Sequence, residues 1–307
     1  MSQNTLIAPK AWLIDSSIYV FKAWHTRPDE QTDSNGNPIN AVLGFIEFVY
    51  NLLSREKPQL IAFAFDESLH SSHRKEIYPQ YKANRASAPE SLRNQFKLCR
   101  AFISALGIHE EASPHYEADD LIGTWAKTLR SNCIPINFIT ADKDLAQLVY
   151  EQDHWWEYQR GESFDAKKIT KRFRVKPRQI ADQLSIAGDK SDNIPGVPGI
   201  GMATAAKLLR RFDNLDNLLN NIPEISSMQI RGAKRIQELI DEYQETIKLS
   251  RQLTGIKCDI DDIDIKNLAV SELNEDAFLE ICEHLKLSED EQYQWICLHR
   301  NLIKTHK

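Results

Sequence analysis

Short apolar runs that end on aspartate are the tightest constraint this chain places on its own fold. Ala11-Trp12-Leu13-Ile14 closes on Asp15, and Leu60-Ile61-Ala62-Phe63-Ala64-Phe65 closes on Asp66. Ile136-Asn137-Phe138-Ile139-Thr140-Ala141 runs into Asp142 and Asp144. Runs of this length without alternation read as buried parallel strands. In an open α/β sheet the ligand crevice lies outside the carboxyl ends of the strands, so acids from distant points of the chain are expected to converge there. Two further acidic groups join them: Glu117, Asp119 and Asp120 open an apolar helical stretch, and Asp189 and Asp192 precede a glycine-rich turn. One like-charged pair at ~4 Å costs about 4 kcal/mol at an effective dielectric near 20. Nine such carboxylates in a small volume call for cations. An all-oxygen donor set, without a nearby histidine or cysteine pair, selects Mg²⁺ or Mn²⁺ over zinc.

The alternation continues between these runs. Helical patterns are expected at Ala41–Ser54, Ser91–Leu106, Ala118–Leu129 and Lys143–Val149, with a short strand at Ile108. Strand–helix alternation implies an α/β fold with a mainly parallel central sheet and flanking helices. After Lys167 the character turns mostly helical: Pro177 opens Arg178–Ala187, then come Met202–Phe212, Ala233–Arg251 and Glu275–Lys286. The expected division is a core over 1–172 and a helical region over 173–307. The tract Asp259–Asp264 reads as a solvated edge or loop.

Bulk properties narrow the classes. Charged residues at 27% and apolar residues at 42% suit a globular protein. Met1-Ser2-Gln3-Asn4-Thr5 does not begin a signal peptide, and no apolar run is long enough to span a bilayer, so a cytoplasmic, non-membrane protein is expected. The five cysteines form no C-x-x-C pair, which argues against a disulfide framework or a cysteine-ligated zinc. His70 and His73 lack the partners of a zinc site. A net charge of −6 argues mildly against nucleic acid, but the nine clustered carboxylates exceed that whole excess, and the basic residues gather elsewhere.

Each candidate has a plainer explanation. Asp142, Glu117 and Asp15 can serve as helix caps, and Asp144 and Asp119 suit a first helical turn. The turn Gly199-Ile200-Gly201 before Met202–Phe212 offers backbone N–H groups to a phosphate, or is an ordinary helix–helix turn. Lys207, Arg210 and Arg211 follow it as DNA contacts or as a solvated face. In Arg74–Arg85, aromatic residues interleave with cations, a pattern suited to unpaired bases and equally to an exposed loop. The seven basic residues from Lys167 to Arg178 read as a solvated helix face before a DNA footprint, and His154-Trp155-Trp156 as packing or a stacking site.

Taken in order, these segments resemble the 5′-nuclease domain of bacterial DNA polymerase I, within the flap endonuclease superfamily. The likeness rests on Asp15, Phe65-Asp66, Arg74–Arg85, Tyr116-Glu117-Ala118-Asp119-Asp120, Thr140-Ala141-Asp142-Lys143-Asp144 and Gly188-Asp189-Lys190-Ser191-Asp192-Asn193-Ile194-Pro195-Gly196-Val197-Pro198-Gly199-Ile200-Gly201. It runs from about Trp12 to Lys257. The resemblance implies a helical arch at about 70–90 and a helix–three-turn–helix module at about 178–212. It also implies a first metal on Asp15, Asp66, Glu117, Asp119 and Asp120, and a second on Asp142, Asp144, Asp189 and Asp192, with Asp119 between. Lys82 and Arg85 match cations that stabilise the scissile phosphate, while Arg74, Tyr81, Gly199, Gly201 and Lys207 match DNA contacts. Val197 and Ile200 carbonyls match a potassium site.

The implied activity is that of a monomeric, Mg²⁺-dependent 5′-3′ exonuclease and flap endonuclease. It would hydrolyse 5′ flaps, nicked or branched duplex by two-metal chemistry in DNA replication and repair, with Mn²⁺ able to substitute. Ser16, where the family commonly has glycine, and Met202-Ala203 are departures, the latter implying weaker duplex binding. With no polymerase segment following, a stand-alone nuclease is expected. The rival readings are a PIN-type ribonuclease and a non-catalytic DNA-junction binder.

Overall fold

The computed structural model describes residues 9–67, 72–261 and 268–304. In chain order its elements are β1 (Ala11–Asp15), α1 (Ser16–Thr26), α2 (Asn40–Glu56), β2 (Leu60–Asp66), α3 (His73–Ile77), α4 (Glu90–Ala105), β3 (His109–Ser113), α5 (Ala118–Ser131) and β4 (Ile136–Ile139). They continue as β5 (His154–Glu157), β6 (Glu162–Phe164), α6 (Ala166–Phe173), α7 (Ile180–Ala187), α8 (Met202–Phe212), α9 (Leu215–Asn220), α10 (Ala233–Glu242), α11 (Gln244–Thr254), α12 (Glu275–His284) and α13 (Glu289–Lys304). Met1–Thr5, His70 and residues 262–264 of the acidic tract lie outside the described residues.

Contacts group the chain into two compact units assembled from interleaved segments. The first takes Met1–Glu67, Ser87–Ala141 and Cys258–Lys307, and the second takes Ser68–Ala86 and Asp142–Lys257.

In the first unit, β3, β2, β1 and β4 run side by side and all parallel. Ala11–Ile14 and Ile61–Phe65 are buried throughout, as two-sided strands must be. Parallel register carries Asp15 and Asp66, the last residues of β1 and β2, to the same edge. Helix α2 lays Phe45 edge-on against Phe63 of β2, with ring centroids 6.0 Å apart, and Tyr19 of α1 stacks on its Phe48 at 3.8 Å. The late helices return to this core: Trp295 of α13 meets Phe102 of α4 at 4.9 Å, and Phe278 of α12 meets the same ring at 5.7 Å.

In the second unit, β5 and β6 form a hairpin, and α7 and α8 are joined by the glycine-rich turn. Helix α11 is clipped to α7 by Thr254 Oγ1, which donates to Ala181 O at 2.9 Å, and by Arg251, which pairs with Asp182 at 2.6 Å. Gly188 and Gly196 let two strands of that turn touch. A Cβ on Gly196 would lie 2.2 Å from Gly188 N, and Gly188 itself has φ +76°.

Three element assignments differ from the sequence expectation. The helix expected at Lys143–Val149 is a 3-10 turn over Asp144–Leu148. That segment is too short to propagate α-helical bonds, and the Asp144 N–H is taken by Asp142 Oδ1 at 2.8 Å. The helix expected at Ala233–Arg251 breaks at Tyr243 into α10 and α11, which frees Ser250 Oγ to donate to Pro195 O at 2.6 Å. Ile108 is buried just ahead of β3, which begins at His109.

Candidate functional site

Each unit carries one set of the acids singled out in the sequence. In the first, Asp15 is buried and its Oδ2 accepts the Thr140 hydroxyl at 2.8 Å, tying the end of β1 to the end of β4. Asp66 Oδ1 accepts the Ala118 N–H at 2.9 Å, and its own N–H donates to Ser17 Oγ at 3.0 Å. Asp66 therefore links the end of β2 to the start of α5. Glu117 and Asp120 form a capping box on α5, with the Glu117 N–H donating to Asp120 Oδ2 at 3.2 Å. Asp120 is fully buried, Glu117 is buried and Asp119 is half-buried. The capping contacts tie Asp66 and the Glu117–Asp120 box together at the carboxyl edge of the strands.

In the second unit, Asp142 and Asp144 flank Lys143 at the 3-10 turn, while Asp189 and Asp192 lie on the loop before the glycine turn. Burial raises the Asp142 carboxyl, against the Asp144 N–H bond, which lowers it, while the nearby Asp192 raises it further. Asp144 is pushed up well beyond the carboxylate range by burial first and by Asp142 second. Its Oδ1 is buried and accepts no hydrogen bond. Burial also acts upward on Asp189, but the Lys143 ammonium at 2.7 Å and Ser191, whose N–H and Oγ both donate to Oδ1, hold it below its ordinary value. Lys143 is correspondingly raised by Asp189, over the opposing effect of its own burial.

Asp192 gathers the cations of the 78–85 segment. Arg85 bonds its Oδ1 at 2.5 Å, Lys82 Nζ lies 3.7 Å from Oδ2 and the Tyr81 hydroxyl donates to Oδ2 at 3.3 Å. The Lys82 N–H donates to Asp192 O, Asn84 Nδ2 to Lys190 O and Asn193 Nδ2 to Gln80 O. Lys82 achieves this from a left-handed backbone, φ +53°. The segment expected to be an arch is, among the described residues, a single turn of helix (α3) followed by turns zipped onto the Asp189–Ile194 loop.

Two expected DNA contacts face inward. The Arg74 guanidinium is buried and donates to Leu253 O and Gly255 O at 3.0 and 3.1 Å, fastening the end of α11. The Tyr81 ring packs with Ile194 and Leu253. An alternating aromatic–basic run looks solvent-facing in sequence, but here its rings close a small core. Gly199, Gly201 and Lys207 are exposed, and a Cβ on Gly201 would meet nothing within 4 Å. Val197 O accepts the Ile200 N–H at 3.0 Å.

Sequence reasoning gave Lys143 no role, and it read Trp155 as packing or stacking without its contact to Asp142. Lys143 had a signal, a cation between two acids. Trp155 had none: its indole N–H donates to Asp142 O at 2.8 Å, a contact made only because the β5–β6 hairpin returns there.

Among the described residues no three His, Cys, Asp or Glu groups close into a ready-made metal cage. The chemistry of the donor set still fits a hard divalent cation. Every candidate donor is a carboxylate oxygen, and Asp144 presents a buried oxygen with no hydrogen bond and a carboxyl that burial holds toward its neutral form. No helix among the described residues is long and apolar enough to cross a membrane.

Comparison with known proteins converges on one family. Residues 10–174 match the 5′-3′ exonuclease N-terminal resolvase-like domain, and 175–276 match the 5′-3′ exonuclease C-terminal SAM fold. A 5′-3′ exonuclease of Buchnera aphidicola subsp. Baizongia pistaciae is 36% identical over 248 residues, covering 81% of this chain and 82% of that protein. DNA polymerase I of Pseudomonas aeruginosa is 35% identical over 288 residues, 93% of this chain but only 31% of the polymerase. Two solved structures share the fold. T5 5′-exonuclease with bound zinc ions superposes with TM-score 0.65 at 16% identity, covering 96% of this chain and 98% of that one. The catalytic core of Rad2 in complex with DNA substrate gives 0.63 at 14% identity, covering 95% and 93%.

Proposed function

The chain belongs to the 5′-3′ exonuclease family, and from that premise we propose that it is a divalent-metal-dependent nuclease that cuts DNA at 5′ flaps and 5′ ends. The observation that carries the reading is the second unit's loop cluster. Half-buried Asp142 and Asp144 sit at one turn, with Asp144 Oδ1 itself buried, and Asp192 is gripped by Lys82 and Arg85.

Asp15, Asp66, Glu117, Asp119 and Asp120 would hold one ion, and Asp142, Asp144, Asp189 and Asp192 a second. Bound Mg²⁺ or Mn²⁺ would neutralise the phosphate and lower the pKa of an attacking water. Lys82 and Arg85 supply positive charge for the pentacoordinate phosphate, the electrostatic part of the catalysis. The oxygen of water bonds to phosphorus and the P–O3′ bond breaks, leaving a 5′-phosphate and a 3′-hydroxyl that takes the proton. The Gly199–Gly201 turn and Lys207 would meet a phosphate backbone, with Val197 and Ile200 carbonyls available to a K⁺ ion. Arg74 and Tyr81 act from beneath, by keeping the Lys82 segment in place. Functionally we retain a catalytic core over 1–172 and a DNA-binding region over 173–307, in a monomer of the cytoplasm serving replication and repair.

The test is cleavage of a 5′-labelled flap duplex with Mg²⁺ and with chelator. Metal-dependent release of the flap, abolished in Asp142→Asn/Asp144→Asn while the flap is still bound, is the expected result. Binding without cutting under any divalent metal would make the chain a junction binder, and preferential cutting of single-stranded RNA would make it a ribonuclease.

A further inference from the structure

Seven basic residues run from Lys167 to Arg178 through helix α6, its cap and the turn that follows, and the structure sorts them into two groups. Four are engaged: Lys168 donates to Ser163 O, Arg172 pairs with Glu157, and Lys176 and Arg178 pair with Asp213. The other three, Lys167, Lys171 and Arg174, are exposed, and among the described residues no acceptor meets their side chains.

These three are spaced four and three residues apart. At 3.6 residues per turn they fall within an arc of about 60° on one face. Ile169, fully buried, marks the opposite face as the one turned to the protein. Arg174 extends the stripe by one turn from a left-handed cap, φ +64°, whose N–H still donates to Thr170 O at 2.9 Å. A chain with 44 acidic and 38 basic residues had acids to spare for pairing, yet this stripe has none.

The stripe runs about 10 Å along the helix. One strand of B-form DNA presents a phosphate roughly every 3.4 Å of axis, so the stripe spans about three phosphate intervals, within reach of its three cations. We infer that Lys167, Lys171 and Arg174, on α6 and its cap, form a phosphate-backbone site for one strand of duplex DNA in addition to the glycine turn and the Lys82 segment. This rests on the DNA-cleaving reading above and adds a place where the duplex is held.

The test is the salt dependence of binding. Affinity for a 5′-flap duplex is measured in chelator from low to moderate salt for the wild type, for Lys167→Gln/Lys171→Gln/Arg174→Asn, and for a charge-matched control, Lys10→Gln/Lys22→Gln/Lys97→Gln. Glutamine keeps helix propensity, asparagine tolerates the left-handed cap, and thermal melting verifies the fold of each. Each lost phosphate contact lowers the slope of log K against log salt by about 0.9, so the α6 variant should lose about 2.7 and the control nothing. An unchanged slope overturns the inference, as does an equal loss in the control, which would mean net charge alone. A loss seen only on single-stranded DNA also overturns it, assigning the stripe to the unpaired strand. If the wild type binds no flap duplex at any salt, the nuclease reading itself fails, a distinct result.

Discussion

Trp155 Nε1 donates a hydrogen bond to the main-chain oxygen of Asp142 across 2.8 Å. The indole is buried, and the Arg172 guanidinium lies over it at 5.1 Å and over Phe164 at 4.8 Å, while Glu157 holds the same guanidinium from the side. The backbone carrying Asp142 and Asp144 is therefore steadied by an aromatic residue of the following hairpin. Trp155→Phe keeps most of the packing and removes the donor. It should cost about 0.5–1.5 kcal/mol in chemical denaturation and raise the Mg²⁺ needed for half-maximal cleavage several-fold, with flap binding retained. A stability loss with an unchanged metal requirement would reduce Trp155 to core packing.

Asp144 destabilises the chain it serves. Its folded carboxyl is raised above the unfolded value near 3.8, so its favourable contribution is complete below that pH and is lost as pH rises through the folded value. Asp144→Asn should melt higher than wild type at neutral pH in chelator, at about 2–4 °C per kcal/mol relieved, with the gap closing as pH falls toward 3.8. Differential scanning calorimetry across pH checks this; a variant that melts lower at pH 7 contradicts it.

Lys143 should act with the opposite sign. Asp189 is held below its ordinary value, so its contribution is present above about 3.8 and disappears as pH falls through the lowered folded value. Lys143→Met removes the partner at 2.7 Å, so the acid unfolding midpoint should move to higher pH. An unmoved midpoint would assign Asp189's stabilisation to Ser191 alone.

Much of this was legible along the chain. The limits of β1, β2, β4 and α8 follow from apolar runs and a helical period, because two-sided burial leaves a continuous trace in sequence. Asp15 and Asp66 were legible for the same reason, as the ends of β1 and β2. What escaped depends on chain return. Arg74 and Tyr81 read as surface residues until Leu253, Gly255 and Ile194 cover them from far along the chain. The interleaved units were equally hidden, since Ser34 meets the oxygen of His284 only in three dimensions.

The glycine turn separates two roles that look alike in sequence. Gly196→Ala would drive a methyl to 2.2 Å from Gly188 N and 2.3 Å from Ala187 C, main-chain atoms that cannot yield cheaply. The expected loss is about 1–3 kcal/mol or more by urea melting. Gly201→Ala meets open space, so its stability should change by under about 1 kcal/mol while flap affinity falls. Equal stability losses at both positions would contradict this division.

Lys82→Ala tests the electrostatic assignment. On the proposed assignment of its charge to the transition state, the single-turnover cleavage rate should fall by about 10²–10³ with a modest change in flap affinity. The left-handed backbone at Lys82 is retained, because alanine and lysine resist φ +53° similarly. A defect explained wholly by weaker binding would remove Lys82 from the chemistry.

The return of α12 and α13 to the first unit sets an order in time. Strands β1, β2 and β4 are synthesised early, but Phe278 and Trp295, which cover Phe102, emerge more than a hundred residues after β4. At roughly 5–20 residues per second that interval is on the order of 10 s. For that long the nascent sheet and its α4 cover expose aromatic surface, while the second unit, contained between the two, has all of its residues in hand. The unit that begins first is the one that finishes last.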